Sequence, residues 1–83
     1  METTATRSGR LRYQEYDRIS IPEDVPALGV EKGDEGVIRG LSFHNETVFA
    51  FVMITYSTGQ TRGWVIVELK PQRKVRSYRA VSR

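Results

Sequence analysis

The chain has 83 residues, a formal net charge of +3, no cysteine and a single histidine. A chain of this length forms one small domain. The lack of cysteine excludes disulfides and cysteine-ligated zinc, and one histidine cannot build a multi-histidine metal site. We therefore expect neither a bound metal nor a cofactor.

The positive charge is concentrated at the C-terminal end. Residues 16–72 contain eight acids against five bases, whereas residues 73–83 contain five bases and no acid. The longest apolar run, residues 48–54, is far shorter than the roughly 18 residues of a membrane span, and residues 1–15 contain no hydrophobic signal segment. These observations predict a cytoplasmic protein with a mildly acidic body, a basic end and no contact with membranes.

The first fifteen residues predict a flexible N-terminal tail. They are rich in threonine, serine, glycine and arginine, and their only sizeable apolar side chains are Leu11 and Tyr13. Such a segment cannot bury enough surface to offset the entropy of ordering. The alternative is that Leu11 and Tyr13 dock on the folded body.

The first predicted strand covers residues 16–21, which alternate polar and apolar side chains. Ile19 and Ile21 then face inward from a half-buried strand. Pro22 ends this strand, because proline lacks the amide hydrogen that a sheet ladder needs.

Residues 23–31 predict an ordered loop that covers one end of the domain. Three of its side chains are too apolar for a solvated loop: Val25, Leu28 and Val30. A short helical turn at residues 23–28 is the alternative, and Pro26 disfavours it.

Two glycines in residues 32–38, with the sequence KGDEGVI, lead into a β-branched strand. Gly33 predicts a tight turn with a positive φ angle. Gly36 predicts a β-bulge or a close approach of another backbone. The strand itself is expected at residues 37–41, and residues 42–46 predict a loop.

Residues 47–56, with the sequence TVFAFVMITY, give the longest strand pattern in the chain. Both of its faces are apolar, which is typical of a central strand buried on two sides or of one that bends between two sheets. We expect Phe49, Phe51 and Trp64 in the core, because few other side chains are large enough to fill it.

Residues 57–60 predict a glycine-containing hairpin that leads to a strand at residues 61–67. Residues 68–71 predict a single helical turn that ends at proline. A last short strand follows at residues 73–78.

Together these elements predict an all-β fold, an SH3-like small five-stranded antiparallel barrel spanning residues 16–78. Flexible tails flank it at residues 1–15 and 79–83, the second of them basic. An OB-fold is the nearest rival, but it usually has a helix between its third and fourth strands. Here those strands are joined by four residues.

Three consecutive runs, YDRISI from Tyr16, EDVPALGV from Glu23 and KGDEGVI from Lys32, resemble the small bacterial family DUF4926. The family pattern is matched at Asp17, Ile19, Ile21, Asp24, Pro26, Gly29, Val30, Gly33, Asp34, Gly36 and Ile38. The resemblance implies an SH3-like fold in a bacterial protein and supplies no catalytic residues, because the function of that family is unknown. More loosely, the chain is similar to KOW-type segments and to the small SH3-like subunits of photosynthetic redox complexes.

No motif in the chain predicts catalysis. Gly33 and Gly36 lead into a strand and enclose two acids, which is unfavourable for phosphate binding. The loop acids have no EF-hand spacing, and His44 has no nucleophile or acid placed beside it by a known motif. We therefore expect a protein that is not an enzyme.

Four tyrosines predict a protein-binding strip: Tyr13, Tyr16, Tyr56 and Tyr78. SH3-like barrels often bind peptides in grooves lined by aromatic side chains, and tyrosine keeps its hydroxyl in water. Half-buried tyrosines at strand edges are the structural alternative. The main prediction is a non-enzymatic binding module that engages a protein partner, as an accessory subunit for example, and is itself a monomer or weak oligomer.

The basic end predicts an alternative function, KOW-like binding of nucleic acid. Arg73, Lys74, Arg76 and Arg79 surround Tyr78, a combination suited to phosphate contacts and base stacking. The acidic body opposes this reading, since it would repel a polyanion. A charged end that keeps a small protein soluble is the structural alternative.

Overall fold

The computed structural model describes residues 13–81, which form an all-β fold. The strands are β1 (Arg18–Ser20), β2 (Glu35–His44), β3 (Thr47–Thr55), β4 (Thr61–Lys70) and β5 (Lys74–Ala80). They form one antiparallel sheet in the order β1-β2-β3-β4-β5. The predictions of an all-β fold and of five antiparallel strands are therefore confirmed.

The predicted tails fall mostly outside the described residues. Residues 1–12, with Leu11, and residues 82–83 are not described. Tyr13, which was assigned to the N-terminal tail, packs against the core. At the other end, Arg79 and Ala80 belong to β5, so the last strand is longer than its sequence pattern predicted.

One face of the sheet, the inner face, is packed into an aliphatic core. Its buried side chains come from the first four strands and from the loop between β1 and β2: Ile19, Ile21, Val25, Leu28, Val30, Ile38, Val48, Ala50, Val52, Ile54, Val65, Val67 and Leu69. Strand residues two apart share a face, so the β3 members alternate with exposed or half-exposed neighbours. The apolar loop after β1, which was predicted to be ordered and to cover one end of the domain, packs on this face through Val25, Leu28 and Val30.

The covering loop is held by a short backbone bridge. Val25 and Val30 exchange hydrogen bonds, with N···O distances of 2.8 and 3.1 Å. Between them, Pro26–Leu28 forms a single 3-10 turn that ends at Gly29, where φ is 68°. The prediction that Pro26 disfavours a helical turn was wrong, because proline is well tolerated at the first position of such a turn.

The glycine-rich stretch before β2 joins that strand to the end of β1. Gly33 has a φ of 96°, as predicted, and its amide donates to the Ile21 carbonyl at 2.9 Å. The Ile21 amide in turn donates to the Asp34 carbonyl at 2.7 Å. Gly36 lies against β3: a Cβ there would come within 2.7 Å of Ile54 Cδ1. The same Cβ would lie 3.1 Å from the Met53 carbonyl oxygen, so the predicted close approach of another backbone is confirmed, whereas the bulge of β2 lies between Ile38 and Gly40.

Two segments predicted as a loop and a helical turn are strands. Residues 42–46 were predicted as a loop, but β2 continues to His44 and only a tight turn follows, with Asn45 at φ 58°. The helical turn predicted at residues 68–71 is absent, since β4 continues to Lys70. Both segments pair with β3: residues 42–44 of β2 pair with residues 47–49 along the same hairpin, and Glu68 of β4 pairs with Phe49.

The first and last strands approach each other without pairing. Arg73 Nη2 lies 3.5 Å from the Ser20 carbonyl oxygen, and the Val75 amide donates to Glu23 Oε2 at 2.9 Å. Two side chains therefore bridge the ends of the sheet near the start of β5. The remainder of β5 is exposed.

The prediction of an aromatic core was wrong. Phe51 is 48% exposed, and Phe49 and Trp64 are half-buried. They lie on the other face of the sheet, the outer face, which no second layer covers within residues 13–81. The fully buried side chains of the inner face are all aliphatic, and Tyr13 is the aromatic side chain among the described residues that packs against them.

Candidate functional site

The outer face of β3, β4 and β5 forms the candidate site. Cross-strand pairing sets Phe51 opposite Ile66 and Met53 opposite Trp64. Directly opposed residues in an antiparallel pair have adjacent side chains, so these four make one continuous apolar patch. A contiguous apolar patch that is exposed on the surface of a domain commonly marks a binding site.

Part of this patch is a groove with a volume of about 500 Å³. Its lining includes Phe51, Trp64, Ile66, Ser77 and Arg79 on the outer face. Val65 and Tyr78 also line it, but they are paired with each other, and the alternation of side chains along a strand places them on the inner side. Ser77 lies directly opposite Ile66, and Arg79 lies opposite Trp64. Because serine is small, the Ile66 side chain is accessible from the edge of β5, while Arg79 brings a positive charge to the groove. We call the five outer-face residues, Phe51, Trp64, Ile66, Ser77 and Arg79, the outer groove.

Along the edge of β5 beside the outer groove, some backbone groups have no hydrogen-bond partner within residues 13–81. The Val81 amide donates to the Arg62 carbonyl at 3.3 Å, and the pairing continues in register with Arg79 opposite Trp64. Backbone groups along a strand point alternately to its two sides. The amides of Tyr78 and Ala80 therefore point away from β4, toward solvent.

The four predicted tyrosines do not form one strip. Three of them each contact a different arginine: the guanidinium carbons of Arg39, Arg62 and Arg73 lie 4.9, 4.8 and 5.9 Å from the ring centres of Tyr16, Tyr56 and Tyr13. Tyr13 also accepts a hydrogen bond from Arg73 Nη1 at 2.7 Å, and it packs on the core. Of the four, Tyr78 is the one beside the outer groove. It lies in β5 between Ser77 and Arg79, and its pairing with Val65 places its side chain on the other face.

The basic residues of the C-terminal end have different environments. Arg73 bridges to Tyr13 and β1, and Lys74 is half-buried in β5. Arg76 Nη1 lies 3.4 Å from Glu68 Oε1, and this glutamate is only 6% exposed. Arg79 lines the outer groove. Two of the four cations are therefore engaged within the fold.

Several acids that looked like solvated loop residues have a structural role. Oδ atoms of Asp17, Asp24 and Asp34 accept hydrogen bonds from the amides of Gln14, Lys32 and Glu31, with distances of 2.8–2.9 Å. They close the turns around β1 and the start of β2. No group of three or more histidine or acidic side chains within residues 13–81 is arranged to hold a metal ion.

His44 has one polar contact that its sequence neighbourhood did not predict. Its Nε2 lies 3.0 Å from Ser42 Oγ, because residues two apart on β2 share a face. Phe49 packs against the imidazole edge-on, with ring centres 6.1 Å apart. Within the described residues no carboxylate hydrogen-bonds to the imidazole, as the orienting acid of a nucleophilic triad would.

Sequence reasoning identified Tyr78 and Arg79 and missed Phe51, Trp64 and Ile66 as surface residues. One signal could have found them. The pattern of β3 has two apolar faces, and no segment of the chain predicts a helix or second sheet to cover both. In a domain this small, one of those faces must meet solvent or a partner.

No family model, curated protein or solved structure matches this chain. Within residues 13–81, none of the helical structure has the length and apolar composition needed to cross a bilayer.

Proposed function

We propose that this protein is a non-enzymatic binding module, in which an SH3-like barrel engages a protein partner. The barrel geometry is supported by the antiparallel order of five strands and by the loop that covers the inner face. The contacts of Glu23 with Val75 and of Arg73 with Ser20 support closure, since they bring β1 and β5 together.

The observation that carries this proposal is the uncovered outer groove. Phe51 is 48% exposed, and it lies beside the half-buried Trp64 and the exposed Arg79. Tyrosine, tryptophan and arginine are the side chains most enriched at energetically dominant positions of protein interfaces. Burying the aromatic rings against a partner would contribute about 25 cal/mol for each Å² of apolar surface removed from water. A module of this kind would serve as an accessory subunit.

The test is capture of a partner from the native host with matched surface variants. The full-length chain should retain a stoichiometric protein, and Phe51→Ser should reduce its capture at least about tenfold, the loss expected from one interface anchor. Phe43→Ser is the control, because Phe43 is also exposed but lies outside the outer groove. Equal capture by Phe51→Ser and the unmodified chain would exclude the outer groove as the binding site.

A second candidate function is nucleic-acid binding, favoured by one observation. Arg79 lies beside Trp64 and Phe51, and aromatic side chains next to a cation provide a platform for stacked bases. Binding of this kind would weaken steeply with salt. Retention on single-stranded RNA that is lost in Lys74→Gln/Arg79→Gln would support it, whereas salt-independent retention or none would remove it.

A further inference from the structure

Among the described residues, the outward backbone amides of β5 are hydrogen-bonded at the start of the strand, where we call the edge closed, and lack a partner at its end, where we call it open. At the beginning, the outward-pointing amide of Val75 is bonded to the Glu23 carboxylate at 2.9 Å. At the end, the amides of Tyr78 and Ala80 have no such acceptor among the described residues. An exposed strand edge is a ready template for another strand. The open part of this edge lies directly beside the outer groove.

The charge at this edge has one sign. β5 carries Lys74, Arg76 and Arg79 and no acid, and Arg76 is the one paired within the fold. The carboxylate of Glu23 already satisfies the first outward amide of the edge, which makes an acidic segment a chemically suitable neighbour. A second copy of the chain would instead bring these cations close to one another, which opposes pairing of β5 with itself.

We propose that β5 binds an extended acidic segment of a protein partner as a sixth strand. The inference rests on the proposed protein-binding function and names its partner class. Backbone groups of the segment pair with Tyr78 and Ala80, and every second side chain reaches over Ser77 into the outer groove. Carboxylates of the segment lie near Arg79. Because Glu23 occupies the edge at Val75, the added strand does not extend past that residue.

The probe is a phage-displayed library of random dodecapeptides, selected on the full-length chain. We expect enriched peptides to alternate apolar residues with other residues and to carry a net negative charge. A tight-binding peptide from the selection is then used at about 90% saturation to follow amide hydrogen exchange by NMR. Exchange at Tyr78 and Ala80 should slow about tenfold, because those amides become hydrogen-bonded in the bound state. Exchange at Ser77 and Arg79 should change little, since their amides already face β4.

A matched pair of variants tests the edge itself. Ala80→Pro removes the outward amide hydrogen and leaves the ladder to β4 intact, since proline is tolerated on an edge strand where the amide faces solvent. We expect it to lower peptide affinity at least about tenfold, whereas Ala80→Ser, which keeps the amide, should bind within about twofold. A native-like NMR spectrum of Ala80→Pro shows that the fold is retained.

Four results would overturn strand addition. The first is a peptide that perturbs Trp64 without slowing exchange at Tyr78 and Ala80, which would leave the protein-binding function standing with a different mode. The second is a selection that enriches basic peptides, or one that enriches no peptide more strongly than a parallel selection on the Phe51→Ser variant. The third is a thymidine octamer that binds more tightly than any peptide and equally well to Ala80→Pro. The last is a dimer that Ala80→Pro dissociates without peptide, since a second copy would then occupy the edge.

Discussion

The two faces of β3 have similarly apolar sequences and different environments. On the inner face, Val52 is completely buried, with aliphatic neighbours from the covering loop and from β4. On the outer face, the adjacent Phe51 is 48% exposed. The difference lies in what each face meets. The loop after β1 reaches only the inner face, and its valine, leucine and isoleucine side chains fill that space without help from the aromatic residues.

This comparison separates stability from recognition. Buried aliphatic side chains on the inner face provide the hydrophobic contribution to folding, whereas the larger aromatic side chains on the outer face remain available for binding. Substitutions on the inner face should therefore change the free energy of unfolding. Substitutions in the outer groove should change partner capture more than stability.

The largest expected effect is on the inner face. Ile38 is fully buried, and Ile38→Ala should lower the free energy of unfolding by about 2–5 kcal/mol, because it removes apolar contacts and leaves a cavity. Phe51→Ala should cost only about 1 kcal/mol, since half of that side chain is already in water. Urea denaturation of both variants provides the measurement. If Ile38→Ala fails to fold, Ile38→Val should show a loss of about 0.5–1.5 kcal/mol. Equal costs at the two positions would contradict the distinction between the faces.

The next effect compares two glycines of β2. A Cβ at Gly36 would come within 2.7 Å of Ile54 Cδ1, so Gly36→Ala should destabilise the fold by about 1–3 kcal/mol through overpacking. At Gly40 the nearest atom to a Cβ is 3.8 Å away, on Phe51, so Gly40→Ala should be neutral or stabilising by up to about 1 kcal/mol. Thermal unfolding would show opposite signs, and a shift of the same sign in both would argue against the inner-face packing at Gly36.

A smaller effect is expected at the one buried carboxylate of the described residues. Arg76→Ala removes the cation 3.4 Å from Glu68, and we expect a loss of about 1–2 kcal/mol, limited because the Arg76 side chain is 47% exposed. Arg79→Ala is the control and should stay within about 0.5 kcal/mol. Adding Glu68→Gln to Arg76→Ala should recover part of the loss, because it removes the unpaired charge. If Arg76→Ala left the free energy of unfolding unchanged, this ion pair would not contribute to the stability of the fold.

The smallest effect concerns closure of the sheet. Glu23→Ala removes the acceptor for the Val75 amide and should cost about 0.5–1.5 kcal/mol. Hydrogen exchange at Val75 should accelerate at the same time, extending the open part of the β5 edge toward its beginning. The control is Glu46→Ala, in the turn between β2 and β3, which should change neither the free energy of unfolding nor the exchange rate of the Val75 amide. Unchanged exchange at Val75 in Glu23→Ala would contradict the bridging role of Glu23.

Much of the fold could be predicted from local patterns. Alternating residues gave the first strand, although it covers only Arg18–Ser20 of the predicted residues 16–21 and Tyr16 lies in a turn with a φ of 76°. Glycine at a positive φ gave the turn at Gly33, and the apolar loop is ordered and packs on the core. The failures share a cause. Ser42–His44 and Glu68 look like loop and helix residues from their neighbours, but both pair with β3, Ser42–His44 within a tight hairpin and Glu68 with the more distant Phe49. Local propensity is overridden where such pairing satisfies the backbone.

The candidate site was only half predictable. Tyr78 and Arg79 could be named because polar and aromatic residues in a basic segment indicate binding. Phe51 and Trp64 were placed in the core because their size suits it. Their exposure depends on the absence of a covering layer, which cannot be read from a strand pattern that is apolar on both faces.

By itself the sequence determined the number and order of the strands, the glycine turn at Gly33, and which side chains within a strand share a face, since these properties follow from backbone sterics and from the two-residue period of a strand. Only the tertiary structure decided which apolar face became the core. The loop before β2 could cover one face, and its aliphatic side chains fitted the inner one. That choice left Phe51, Trp64 and the end of the β5 edge available to a partner.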